Sequence, residues 1–141
     1  MSRIYWDTML FIYWIEDHPI HSTQVQEIYA RMQKRRDVLC ASALTLGEVL
    51  TGLLKRGAIE TAAEIRTFFG SSAVEVSSFT RETAEHFARI RATHRVSPAD
   101  AIHLACAAQS GADLFLTHDR RLKGLMVPGI DFIAGMDVDL L

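Results

Sequence analysis

Cysteine, proline and charge of one sign are all scarce in these 141 residues. Cys40 and Cys106 are the only two cysteines, and both sit inside apolar stretches (DVLCASAL and HLACAAQ). Such thiols fit a reducing compartment and exclude a disulfide scaffold. No Cys-x-x-Cys pair is present, which removes a cysteine-based zinc site. Three prolines and eight glycines leave no room for a long linker. The formal net charge of −2 excludes a global field that would recruit nucleic acid, so any such binding must use a local patch. The apolar run Met9–Ile15 falls far short of the ~20 residues that cross a bilayer. Neither a basic segment nor a small-residue cleavage site frames it as a signal peptide. The expected location is the cytoplasm.

What is present is globular: 49% hydrophobic and 23% charged residues. At this length, residues 1–141 are expected to form one domain. Strand-like and helix-like segments alternate. Strands are expected at Ile4–Trp6, Val38–Ala41, Ala73–Val76, Leu114–Leu116 and Ile130–Ile133. Helical spacing covers Thr8–Ile15, Gln24–Arg36, the stretch from Leu46 to Leu54, Ile59–Phe69 and Arg81–Thr93. Pro98–Ser110 is apolar nearly all round, as a buried helix is, and its alanines permit close approach to a sheet. Short buried strands between helices predict an α/β protein with a parallel sheet covered on both faces. In such sheets functional groups gather beyond the carboxyl ends of the strands.

Four acids fall where that edge should be. Asp7 follows the first strand, Glu48 begins the helix after the second, Asp100 opens the buried helix, and Asp119 follows the fourth strand. Carboxylates converging from distant positions repel unless a cation lies between them, and hard oxygen donors select Mg²⁺ or Mn²⁺. One or two such ions activate water and stabilise a leaving oxygen in phosphodiester hydrolysis. Each acid also suits a helix cap. Thr45-Leu-Gly-Glu48 matches the capping box, Ser97-Pro-Ala-Asp100 is close to one, and Asp7 and Asp119 suit N-caps. The two roles coexist, because a helix N-terminus holds a carboxylate ionised.

The motifs around these acids resemble those of PIN-domain proteins. Ile4-Tyr5-Trp6-Asp7-Thr8 with Phe11-Ile12-Tyr13 is similar to the family's opening. Leu44–Val49 resembles its second acidic motif, the segment from Ser97 through Asp100 to Ala108 its third, and Leu116-Thr117-His118-Asp119-Arg120-Arg121-Leu122 its fourth. The short length matches the VapC toxins of toxin–antitoxin pairs. The resemblance implies a three-layer α/β/α fold with a five-stranded parallel sheet of order 3-2-1-4-5, dependence on Mg²⁺ or Mn²⁺, and endonucleolytic cleavage of RNA. It also implies a homodimer and a small antitoxin protein filling a groove beside the pocket. It assigns Asp7, Glu48, Asp100 and Asp119 to the acidic pocket and Thr117 to a supporting position. His118 and Leu122 depart from the family's common asparagine and phenylalanine.

Within that scheme Asp7, Asp100 and Asp119 are the candidate metal ligands, and Glu48 is the candidate for orienting or deprotonating water. Thr8 and Thr117 are placed to support them by hydrogen bonding. Arg120 and Arg121 are the candidate phosphate contacts, whereas the Arg31–Arg36 run reads as a solvated helix end. Among the six histidines no acid–base pair stands out. His103, one turn from Asp100, is within reach of the site but reads first as a packed core residue, and His118 reads as pointing away from Asp119. Tyr5, Trp6, Tyr13 and Trp14 read as core or dimer surface. A receiver-like domain would need an aspartate where Ser77-Ser78 stands, and a haloacid-dehalogenase-like phosphatase would need Asp-x-Asp where Asp7-Thr8-Met9 stands. The remaining alternative is a catalytically inactive module that binds metal or nucleic acid. The acidic stretch Asp137–Leu141 suggests no function.

Overall fold

The computed structural model describes residues 1–136; the stretch Asp137–Leu141 lies outside them. Five strands, β1 (Arg3–Trp6), β2 (Val38–Ser42), β3 (Glu75–Ser77), β4 (Leu114–Leu116) and β5 (Phe132–Ala134), pair in the order β3-β2-β1-β4-β5. Every pairing is parallel, and β1 is the point from which the strand order runs in both directions. The expected sheet order is the observed one.

Strand alternation divides the core. Ile4 and Trp6 of β1, Leu39 and Ala41 of β2, and Leu114 and Leu116 of β4 face one apolar cluster. The helices α1 (Thr8–Ile15), α2 (His21–Arg35), α3 (Ala43–Lys55) and α4 (Ile59–Phe69) cover that cluster. Tyr5, Cys40, Phe115 and Ile133 face the other side, against α5 (Arg81–Thr93) and α6 (Pro98–Gln109). The right-handed crossovers that parallel strands favour, β1 to β2 and β2 to β3, carry α1–α4 on one face. The return from β3 to β4 runs in the opposite direction, so the same handedness puts α5 and α6 on the other. The result is a three-layer α/β/α arrangement.

Several segments differ from their sequence reading. Helix α2 begins at His21 rather than Gln24, because His18 Nδ1 accepts hydrogen bonds from the amides of Ile20 and His21. A histidine thus does the work usually left to serine or aspartate. Strand β3 starts two residues later than expected: Ser71 Oγ accepts from the Ala73 amide and holds that stretch in a turn. Strand β5 is likewise displaced toward Ala134. The Ile130 amide bonds to Val127 O across the turn containing Gly129, so Ile130 adds to the core without joining the ladder.

Candidate active site

The carboxyl ends of β1 and β4 lie side by side, with the Asp7 amide bonded to Leu116 O at 2.9 Å. Asp7 leaves β1 in an extended conformation and caps α1, its Oδ1 accepting from the Thr8 amide at 2.9 Å. Its Oδ2 accepts from Thr117 Oγ1 at 2.8 Å, and Thr117 Oγ1 in turn accepts from the Asp119 amide at 3.0 Å. Thr117, fully buried, therefore ties the first acid to the fourth. Burial pushes the Asp7 carboxyl above the usual carboxylate range, partly offset by His103 and by the Thr117 hydrogen bond. Asp100 also acts on Asp7 as a like charge, which places both carboxylates in one field.

Asp100 occupies the third position of α6. Ser97 caps that helix by accepting from the Asp100 amide at 3.1 Å, and Pro98 opens it. The cap-like reading of Ser97–Asp100 is thus observed. The reading of Thr45–Glu48 is not: the capping box of α3 is formed by Ser42 and Thr45, three residues upstream. The helix starts directly at the end of β2, so Glu48 stands in its second turn. There Glu48 Oε1 accepts from Thr8 Oγ1 at 2.7 Å and lies 2.6 Å from His103 Nε2. The His103 hydrogen bond holds the Glu48 carboxyl below its ordinary range.

Asp119 caps no helix. Its Oδ1 accepts from the amide and Nε of Arg121, and its Oδ2 from Arg121 Nη2 at 2.8 Å. This fork keeps the Asp119 carboxyl ionised to lower pH than usual. Arg121 is otherwise exposed, and it feels Asp100 as well as Asp119. Both departures from the family motif have a packing explanation. Leu122 is buried in the core beneath α6, and His118 Nδ1 lies 2.6 Å from Tyr13 Oη.

Three of the acids are joined by hydrogen bonds, Asp7 to Glu48 through Thr8 and Asp7 to Asp119 through Thr117; Asp100 opens the neighbouring α6 and acts on Asp7 and Arg121 by charge alone. Two residues join them that the sequence reading had assigned to the core. His103 is buried, yet its Nε2 touches Glu48 and its Nδ1 lies 2.7 Å from Tyr5 Oη. The signal for His103 was its spacing of three from Asp100, which puts both on one helix face. For Tyr5 it was the spacing of two from Asp7 along an extended strand.

The donor set suits a hard divalent cation, because carboxylate oxygens predominate. Among the described residues, however, no three of these side chains are already arranged around a common point. Three of the acids have separate hydrogen-bonding partners: Thr117 for Asp7, Thr8 and His103 for Glu48, and Arg121 for Asp119.

The fold is shared with solved toxin structures. VapBC2 from Rickettsia felis, solved bound to a DNA fragment from its promoter, superposes with a TM-score of 0.74 at 17% identity, covering 94% of this chain and 98% of that one. A toxin–antitoxin complex from Klebsiella pneumoniae gives 0.68 at 20% identity, with 90% and 94% covered. VapC20 from Mycobacterium tuberculosis, a toxin that cleaves the sarcin–ricin loop, gives 0.69 at 21% identity, with 83% and 90% covered. No functionally curated protein matches the sequence. The family model for the PIN domain matches residues 4–125, which include all four acids, and the chain belongs to the PIN-domain family, a family of nucleases.

Proposed function

We propose that this protein is a divalent-metal-dependent endoribonuclease and the toxin of a toxin–antitoxin pair. The observation that supports the reading is the carboxyl edge of the sheet, where Asp7, Glu48 and Asp119 are linked through Thr8 and Thr117 and the adjacent α6 opens with Asp100 in its first turn. Asp7, Asp100 and Asp119 would hold one or two Mg²⁺ or Mn²⁺ ions. Such an ion, when bound, neutralises the rim and supplies Lewis acidity to a phosphodiester and its attacking water.

The chain's own groups do the rest. Glu48, ionised at neutral pH, orients the attacking water and accepts its proton. Thr117 and the α1 N-terminus hold the buried Asp7 carboxylate in place. Arg121 exchanges Asp119 for a substrate phosphate, with Arg120 beside it, which supplies the local positive charge that the overall balance lacks. The antitoxin would dock on the apolar groove between α1 and α4, lined by Phe11, Trp14, Ile15, Ile65 and Phe68, on the flank of the helix that Asp7 caps. Two copies of the chain would form the working dimer, and the site of action would be the cytoplasm. No helix among the described residues is long and apolar enough to cross a membrane.

The alternative, a PIN-like module that binds metal or nucleic acid without turnover, draws on the Arg121 fork that occupies Asp119. Incubation of the purified protein with structured RNA decides between them. Cleavage that appears with Mg²⁺ or Mn²⁺, stops with chelator and is lost in Asp100→Asn supports the ribonuclease. Cleavage that resists chelator and survives Asp100→Asn refutes it. Tight RNA binding with no products identifies the module.

A further inference from the structure

We propose that His103, backed by Tyr5, is a positioning residue that clamps Glu48 for the hydrolytic step; this rests on the ribonuclease reading above. His103 is 2% exposed, and hydrogen-bond partners stand at both ring nitrogens. At 2.6 Å from Glu48 Oε1, Nε2 must carry a proton, because two facing lone pairs repel at that separation. On the other side, Tyr5 Oη lies 2.7 Å from Nδ1 and 2.9 Å from Ser42 Oγ. With Nε2 protonated, Nδ1 accepts from the Tyr5 hydroxyl when the ring is neutral and donates to the tyrosine oxygen when the ring is an imidazolium, and in both cases Tyr5 completes the Nδ1 side. A ring flip would break both contacts at once. Tyr5 is itself immobilised, stacked on Phe115 with ring centroids 5.1 Å apart and planes 7° from parallel.

Thr8 Oγ1 donates to the same Glu48 oxygen at 2.7 Å. Both donors therefore fall on Oε1, and no hydrogen bond among the described residues falls on Oε2. A glutamate on the second turn of a helix, 38% exposed along its side chain, has several rotamers open to it. Two donors on one oxygen select one rotamer and present the other oxygen at a fixed place on the rim. Supporting groups of this kind hold a reacting side chain within the narrow tolerance that catalysis requires. The network runs from Ser42 through Tyr5 and His103 to Glu48 and on through Thr8 to Asp7, so its outer end is the acidic edge and not the core.

Kinetics and spectroscopy test the clamp separately. With Mn²⁺ and an RNA substrate, His103→Leu is expected to lower kcat by about 10–100-fold with KM little changed. His103→Gln retains an amide donor toward Glu48 and should recover part of kcat, and Tyr5→Phe should give a smaller loss in the same direction. In the metal-free protein, ¹H–¹⁵N correlation of the imidazoles should show an exchange-protected Nε2–H for His103 that disappears in Glu48→Leu. Wild-type kcat in His103→Leu, a loss in KM alone, or a His103 ring without that protected proton overturns the proposal. A protein that shows the proton but cleaves no RNA loses its hydrolytic role with the ribonuclease reading, while the clamp itself stands on the spectrum.

Discussion

Asp7 carries a conflict between folding and function. Its carboxylate is buried next to a like-charged neighbour, and its proton affinity is raised by that burial. For an acid whose folded pKa is raised, the folded state binds more protons than the unfolded chain. Stability therefore falls as pH rises from the ordinary carboxylate range through the raised value. Asp7→Asn removes this loss and keeps the cap, since asparagine caps helices as well as aspartate does. The expected outcome is a metal-free protein more stable at neutral pH by about 0.5–2 kcal/mol, measured by denaturant melts, with RNA cleavage abolished. Divalent ions should stabilise the wild type in proportion to their occupancy and Asp7→Asn much less. Arg121 presents the converse case. Its fork on Asp119 stands where a cation would compete, so Arg121→Ala should tighten Mn²⁺ binding, by up to about fivefold for an exposed pair. Calorimetric titration reads that change, and KM for RNA should rise in the same variant.

At the level of elements, α6 decides where the site stands. Its alanines allow the loop before β5 to lie directly against the helix. A Cβ at Gly129 would come within 3.0 Å of Ala108 Cβ and O, and the residue also has φ +99°. Gly129→Ala therefore combines overlap with backbone strain, and the expected cost is about 1–3 kcal/mol in a denaturant melt. Because Gly124 bonds back to Ile133 O and Leu122 is buried beneath α6, a shift of that loop also reaches the turn that carries Asp119. The same substitution should thus lower activity more than Asp7-independent stability loss explains, visible as reduced kcat at temperatures where the variant is fully folded. Helix α3 illustrates how an element start moves a site residue. With Ser42 as cap, Glu48 lies one and a half turns into the helix, within reach of both Thr8 and His103.

Over the whole molecule, the two faces of the sheet divide the labour. One buries the aromatic cluster of Trp6, Phe11, Trp14, Tyr29 and Phe69 and leaves the α1–α4 groove half-covered. The other buries Tyr5, His103 and Phe115 beneath the acidic rim. If the groove receives an antitoxin, Ile65→Asp should weaken the complex by about tenfold or more without changing RNA cleavage by the free protein. Co-purification with a tagged antitoxin and a cleavage assay on the separated protein read the two effects.

The period of the apolar residues and the alternation of strands and helices made the layered parallel fold legible from the sequence, because both depend on spacing alone. The same spacing puts Asp7 after β1 and Asp119 after β4 and opens α6 with Asp100, whereas Glu48 stands in the second turn of α3 and not at its start. Tertiary structure alone decided which hydrogen bonds join them. The capping box moved from Thr45–Glu48 to Ser42–Thr45 because β2 runs into α3 without a loop, which no local pattern shows. His103 and Tyr5 carry the signature of core residues, apolar neighbours and burial, and only the approach of α6 to β1 brings their polar ends to Glu48. Spacing along a chain determines which face a side chain takes; which partner it meets across the fold depends on contacts between residues 40 to 110 positions apart, and these exist only once the sheet has closed.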